Sequence, residues 1–208
     1  MQDAKRLLAS HASELFAQGS PPNKLPLLRC SALEAFYENF NGGYFWGRAL
    51  LIRPVESGKG MPLSVVDWNE PELWTGLYDG ACARTTFFAE DAFGVQFGIR
   101  DGHVVNFDPE TAALNDCVES IEAWVSLLLG DPAYYTGAPV LAAWEAQSSR
   151  IRPGYRLVPK QLFMLGGEFH SKNMTCKPDV EGLRTRAQLW RLTKDLPDGQ
   201  EIVFKAGE

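Results

Sequence analysis

The chain has no long hydrophobic run: residues 125–129 are already interrupted by Ser126, far short of the ~20 apolar residues that span a bilayer. No membrane crossing is expected. The first residues reach His11, Ser13 and Glu14 before any apolar stretch attains the length of a signal-peptide core, so a cytoplasmic protein is expected. Cysteine and histidine are scarce. The four cysteines, Cys30, Cys82, Cys117 and Cys176, form no C-x-x-C pair, and none of the three histidines stands beside one at a metal-ligand spacing. The expectation is reduced thiols, no metal and no cofactor.

Basic residues are rare in one part of the chain. Between residues 61 and 137 there are 13 acidic and two basic residues, whereas the segments before and after are slightly basic, within a net charge of −6 for the whole. Nucleic-acid binding by this middle segment is therefore not expected, and a basic protein is the partner its field would attract. The acidity includes Asp67, Glu70, Glu72, Asp79, Glu90, Asp91, Asp101, Asp108 and Glu110.

Several reaction signatures are missing as well. No G-x-S-x-G pentapeptide occurs, which argues against a serine hydrolase of that type. Ser57-Gly58-Lys59-Gly60 lacks both the upstream glycine and the hydroxyl residue of a phosphate loop. Glu168 and His170, in Gly166-Gly167-Glu168-Phe169-His170, form the most enzyme-like local arrangement, because residues two apart on a strand share a face. A hydrolase using this pair is the weakest reading, since two such groups do not make a site and a polar surface turn accounts for them better. Glu90 and Asp91 are adjacent, so on an extended chain they point to opposite faces and do not serve as an acid and base pair.

What the sequence does contain is ample core material: 208 residues, 45% hydrophobic and 12% aromatic. This supports one domain, or one with an appendage, that needs no disulfide or structural metal. Apolar spacing predicts a helix over residues 3–18, and a second over 31–40 that opens with Ser31 and Glu34 in a capping box and ends at Asn41-Gly42-Gly43. Strand-like residues follow from 44 to 52, then a short helix near Asn69 and Pro71 carrying Leu73, Trp74 and Leu77. The strongest local signal is a β-hairpin: alternating apolar residues flank Asp101-Gly102, with a further strand over 84–89 before it. A helix is expected from Asp116 to Gly130, stopped by Asp131-Pro132. Beyond a linker at 131–138 come a helix around Val140 to Trp144, a strand over 156–165, a long loop over 166–178, a helix near 183–192 and a last strand over 201–204. Strands grouped together with helices at either end predict an α+β fold. Trp124 and Trp144 fall on apolar faces, whereas Trp46, Trp68 and Trp74 are compatible with either core or interface.

Leu25-Pro26, the aromatic helix to Phe40, Asn41-Gly42-Gly43, the stretch Phe87-Phe88-Ala89-Glu90-Asp91-Ala92-Phe93-Gly94-Val95-Gln96-Phe97, residues 104–108 and the helix around 121–129 occur in an order that resembles the SUKH superfamily, the Smi/Knr family. The resemblance covers about residues 25–130, and the part from Pro139 onward resembles an extension carried by some bacterial members. It implies a mixed or antiparallel sheet flanked by helices, residues 1–137 forming the SUKH-like domain and 138–208 an extension packed on it or continuing it. It also implies no enzymatic activity. Bacterial members are commonly immunity proteins that bind and neutralise a toxin, often a nuclease or deaminase, and a scaffold or regulator of an endogenous partner is the alternative. Such an inhibitor would use Glu70, Glu72, Asp79, Glu90 and Asp91 as charged contacts, with Trp68 or Trp74 as an anchor.

Overall fold

The computed structural model describes residues 2–16, 25–38, 40–197 and 199–200. Its centre is a seven-stranded sheet in which every strand pairs antiparallel with its neighbours in sequence: β1 (Ala12–Leu15), β2 (Gly43–Phe45), β3 (Leu50–Ile52), β4 (Thr86–Glu90), β5 (Gln96–Arg100), β6 (His103–Phe107) and β7 (Leu114–Val118). The fold is α+β, as the grouping of strands predicts. The hairpin of β5 and β6 turns at Asp101 and Gly102, both at positive φ (49° and 87°), the tight turn whose twist matches that of the flanking strands. Gly42, at φ 76°, lies so close to the Ile52 carbonyl that a Cβ would collide with it, which explains the glycine after the aromatic helix.

One face of the sheet is covered by α1 (Gln2–Ala9), α2 (Ser31–Tyr37) and α4 (Ile121–Gly130). Leu8, Leu33, Phe36, Ile121, Trp124, Val125 and Leu128 from these helices meet Phe45, Leu50, Ile52, Phe88, Phe97, Ile99 and Val104 from the strands. The α4 stripe is apolar at three- and four-residue spacing, and Ser120 caps it by accepting the Ala123 N–H at 3.2 Å. Replacing Ser120 with alanine is expected to cost about 1 kcal/mol, read as a lower urea midpoint at unchanged slope.

α5 (Pro132–Thr136), whose Tyr135 still packs on this core, leads the chain across, and the opposite face carries the segment that follows α3 (Val65–Trp68) together with α6 (Ala138–Glu145), the two-stranded sheet of β8 (Tyr155–Pro159) and β9 (Met174–Pro178), and α7 (Asp179–Thr193). Trp68, Trp74, Tyr78, Phe87 and Phe107 pack here against Leu183 and Ala187 of α7. Beside them Ala92 and Phe93 pack against Leu141, Ile151, Leu157 and Met174. The C-terminal elements thus add a layer to the sheet, and the Leu157 N–H donates to the Ala92 carbonyl at 2.9 Å.

Several local expectations are corrected. The first helix ends at Ala9, and Ala12–Leu15 becomes an edge strand because pairing with β2 outweighs the helical spacing of Leu15, which is 50% exposed. Residues 17–18 lie outside the described ones. Cys30 rather than Ser31 is the cap of α2, without a side-chain cap bond. Residues 44–52 are a hairpin interrupted by a 3-10 turn, Trp46–Arg48, and the helical segment near Pro71 is α3 followed by a 3-10 turn, Thr75–Tyr78. Asp116 to Val118 belongs to β7, so the helix there starts only at Ile121. The strand expected over 156–165 stops at Pro159, and the end of the expected loop is its partner β9. The strand expected over 201–204 lies outside the described residues.

Candidate functional site

The acidic segment begins at Ser64. The Ser64 hydroxyl accepts the Asp67 N–H at 3.1 Å and donates to the Asp67 carboxylate at 2.6 Å, starting the short α3. Asn69 then replaces a missing strand: its amide donates to the carbonyls of Val65 (2.8 Å) and Phe87 (2.7 Å), and its oxygen accepts the Phe87 N–H at 2.8 Å. Trp68 and Trp74 are both fully buried. Trp74 Nε1 donates to the Trp68 carbonyl at 2.9 Å, and Trp68 Nε1 donates to Gln96 Oε1 at 2.9 Å. From α7, Arg184 donates to the main-chain carbonyls of Leu73 (2.6 Å) and Glu72 (3.0 Å). Every side of this segment is therefore tied down, and Asp67, Glu70 and Glu72 remain exposed on it.

Asp79 is also exposed, yet it is engaged within the chain. Lys194 reaches it at 2.8 Å and Arg191 at 3.1 Å from the end of α7, and the Lys194 hydrogen bond holds its carboxyl below the usual range. Tyr78, one residue before, donates to the carbonyls of Pro109 (2.9 Å) and Leu183 (3.2 Å). These contacts make residues 78–79 a fastening point for α7.

Glu90 and Asp91 are interior, which corrects their expected role as surface contacts, as burial does for Trp68 and Trp74. Glu90 is the hub of a buried ion network. One of its oxygens lies 2.9 Å from Arg53 Nη2 and 2.9 Å from Arg156 Nε, while the other accepts the Gln96 amide at 2.8 Å. Arg53 Nη2 also reaches Asp179 at 3.0 Å, and its guanidinium stacks over the Trp68 ring with the carbon 3.1 Å from the centroid. Burial pushes the Glu90 carboxyl up, but the two guanidiniums and the Gln96 amide outweigh it and hold it below the usual range. Each layer supplies one cation and one anion. Arg53 and Glu90 come from the sheet, and Arg156 and Asp179 from the C-terminal layer.

Asp91 begins the adjoining turn. One of its oxygens accepts the N–H groups of Phe93 (2.8 Å) and Val95 (2.9 Å), and the Phe93 carbonyl in turn accepts from the buried Arg186 of α7 at 2.6 Å. No sequence motif announces Arg53, Gln96, Arg156, Asp179 or Arg186 as members of one network. The only signal is a charge set at the end of, or inside, an apolar run, as in Leu50-Leu51-Ile52-Arg53 and Arg156-Leu157-Val158.

Glu168 and His170 sit on the turns joining β8 to β9 rather than on a strand, so the shared-face argument for them lapses. Both are exposed, and His170 Nδ1 accepts the Lys172 N–H at 3.1 Å as the cap of a 3-10 turn. The loop is closed by Asn173, whose amide donates to the Gln161 carbonyl at 2.9 Å and the Glu168 carbonyl at 3.0 Å. Cys82 is buried, which pushes its thiol up to about 12, and burial also raises Cys117 and Cys176; raised thiols are poor nucleophiles. Among the described residues, no group of three His, Cys, Asp or Glu is arranged to hold a metal ion, and no helix is long and apolar enough to cross a membrane.

No family model and no curated protein matches this chain. Among solved structures it is similar to the crystal structure of Atu4351 from Agrobacterium tumefaciens, with a TM-score of 0.57 at 12% sequence identity, over 90% of this chain and 89% of that one. At that identity the likeness establishes the fold and nothing finer, and it extends through the C-terminal layer as well as the sheet.

Proposed function

We propose that this protein is a non-enzymatic binding module that acts inside the cell, and that its partner is a basic protein, in the immunity reading a cognate toxin. The observation that carries this is the segment from Ser64 to Asp79, where the fold holds three exposed carboxylates, Asp67, Glu70 and Glu72, on a backbone fixed by Asn69, Trp74 and Arg184. A surface already ordered before binding loses little conformational entropy on docking, and carboxylates at its rim speed encounter with a positively charged partner. The order of motifs that resembles the Smi/Knr family supports the same reading. Glu70 and Glu72 take the charged-contact role here, and Asp79 is assigned to α7.

The test is rescue of growth when the protein is co-expressed with the product of the adjacent gene, together with co-purification of the two. Reversing Glu70 and Glu72 to lysine is then expected to weaken the complex by about tenfold or more at low salt, with a smaller loss at high salt and an unchanged melting temperature. Unchanged affinity at low salt removes this segment from the interface. A harmless neighbour, with a different protein captured from the cell, moves the reading to an endogenous partner.

A further inference from the structure

The loop from Lys160 to Asn173, which joins β8 to β9, adds nothing to the acidic surface, yet it is firmly held. The strand pair of Pro159 and Met174 closes its base, where the Lys160 N–H donates to the Asn173 carbonyl at 2.6 Å and the Gln161 N–H to the Asn173 side-chain oxygen at 3.0 Å. Within it the Gln161 side-chain amide donates to the Leu165 carbonyl at 2.8 Å and the Gly167 N–H to the Leu162 carbonyl at 2.9 Å. The Met164 N–H ties it to the turn between β6 and β7 by donating to the buried Glu110 carboxylate at 3.0 Å. Compact closed loops of this kind are frequently functional. What this one shows to solvent is apolar: Phe169 is 58% exposed and Met164 39%. The Phe169 ring is nevertheless fixed, because it lies 4.7 Å from Phe93 and 5.3 Å from Phe163 by centroids. A single exposed apolar residue is ordinary, whereas a fixed aromatic on a loop that also exposes a methionine is an anchor whose covering costs little ordering entropy.

The charges around this anchor decide what covers it. Lys160 is engaged with the Lys172 carbonyl at 2.9 Å, and His170 with the Lys172 N–H. That leaves Glu168 just before Phe169 and Lys172 just after it, both exposed, and among the described residues neither side chain has an ion-pair partner. A partner of one sign satisfies one of them and opposes the other. A second copy, turned about a two-fold axis through the Phe169 contact, offers each its opposite. We propose that this protein forms a dimer through this loop, Phe169 and Met164 of one copy packing on those of the second, with Glu168 of each copy set against Lys172 of the other. One loop supplies fewer residues than the ~20–30 a side of a standard interface, so the dimer is a weak one. The net charge of −6 also makes two copies repel at long range, and the contact is strongest where salt screens that repulsion.

Sedimentation velocity of the full chain from about 10 μM to about 1 mM, at about 0.15 M salt, tests this. The expected result is passage from monomer to dimer with no larger species, because a two-fold contact occupies the surface it is made from. Phe169→Asp is expected to weaken the dimer about thirtyfold or more. Glu168→Lys alone and Lys172→Glu alone are each expected to weaken it about tenfold, and the two together to restore it, since the double variant again sets opposite charges across the axis. The bonds that Glu168 and Lys172 make inside the loop use their main-chain groups, so these exchanges leave the loop intact and decide the matter even if Phe169→Asp does not fold. A monomer at every concentration, a dimer unchanged by folded Phe169→Asp, an assembly that grows beyond two copies, or a double variant no better than the single ones overturns the proposal. The dimer is measured on this chain alone, so its outcome is separate from binding of a basic partner at the acidic segment, which growth rescue decides.

Discussion

Replacing Glu90 with alanine is expected to destabilise the protein by about 3–5 kcal/mol. The reason lies in what remains. Arg53 and Arg156 are fully buried, and among the described residues Glu90 is the one carboxylate at ion-pair distance from Arg156. Gln96 also loses the acceptor of its amide, although the Gly94 carbonyl continues to accept from it at 2.9 Å. Since whole domains are stable by about 5–15 kcal/mol, a loss of this size moves the urea midpoint far and leaves a measurable unfolded fraction at 37 °C. Replacing Arg53, Glu90, Arg156 and Asp179 together with apolar residues of similar volume is expected to recover most of that loss, because no member of the network is then left enclosed without its partner. A loss below about 1 kcal/mol for Glu90→Ala would show that water reaches the cluster and that its charges are solvated.

The second large effect belongs to Trp74. Its ring lies 5.1 Å from Phe87, 5.9 Å from Phe107 and 6.1 Å from Tyr78 by centroids, and no part of it reaches solvent. Trp74→Ala is expected to cost about 3–5 kcal/mol through the cavity it leaves, and Trp74→Phe less, because the ring volume is mostly kept. Thermal unfolding at fixed concentration checks the magnitude. As a core side chain, Trp74 is expected to leave partner affinity nearly unchanged when folded Trp74→Phe is compared with the wild type, in contrast to the loss of about 2 kcal/mol or more that a binding anchor shows.

Those two tryptophans also mark where sequence reasoning stops. Trp68 and Trp74 flank Glu70 and Glu72 in a polar, proline-containing stretch, and nothing in the spacing distinguishes an aromatic that holds a loop down from one that projects out of it. Only the Nε1 bonds and the opposing face of α7 settle the matter. The hairpin of β5 and β6 was legible because its turn demands positive φ at Asp101 and Gly102, and α4 because its stripe and cap agree. By contrast β7, Leu-Asn-Asp-Cys-Val, has poor strand formers at its centre and exists through pairing with β6 along one side. The same holds for β9, whose half-buried residues show no alternation. The ion network was invisible for a different reason. Its members are 126 residues apart at the extreme, and pairing between single charges at that separation leaves no periodic trace.

The strand order, in which each strand of the large sheet lies beside its neighbours in sequence, has a kinetic consequence. A ribosome delivers the chain from the N-terminus, so every pairing partner in that sheet exists once residue 118 is made, and the steps from β4 to β7 each close a short loop. Arg53 and Glu90 can meet at that stage, but Arg156 and Asp179 do not yet exist. The half-built protein thus holds an ion pair, and the side of the Trp74, Tyr78, Phe87 and Phe107 cluster that Leu183 and Ala187 cover, open to water until α7 is synthesised. The arrival of Arg156 on β8 and then of α7 completes both the ion network and the burial of that face.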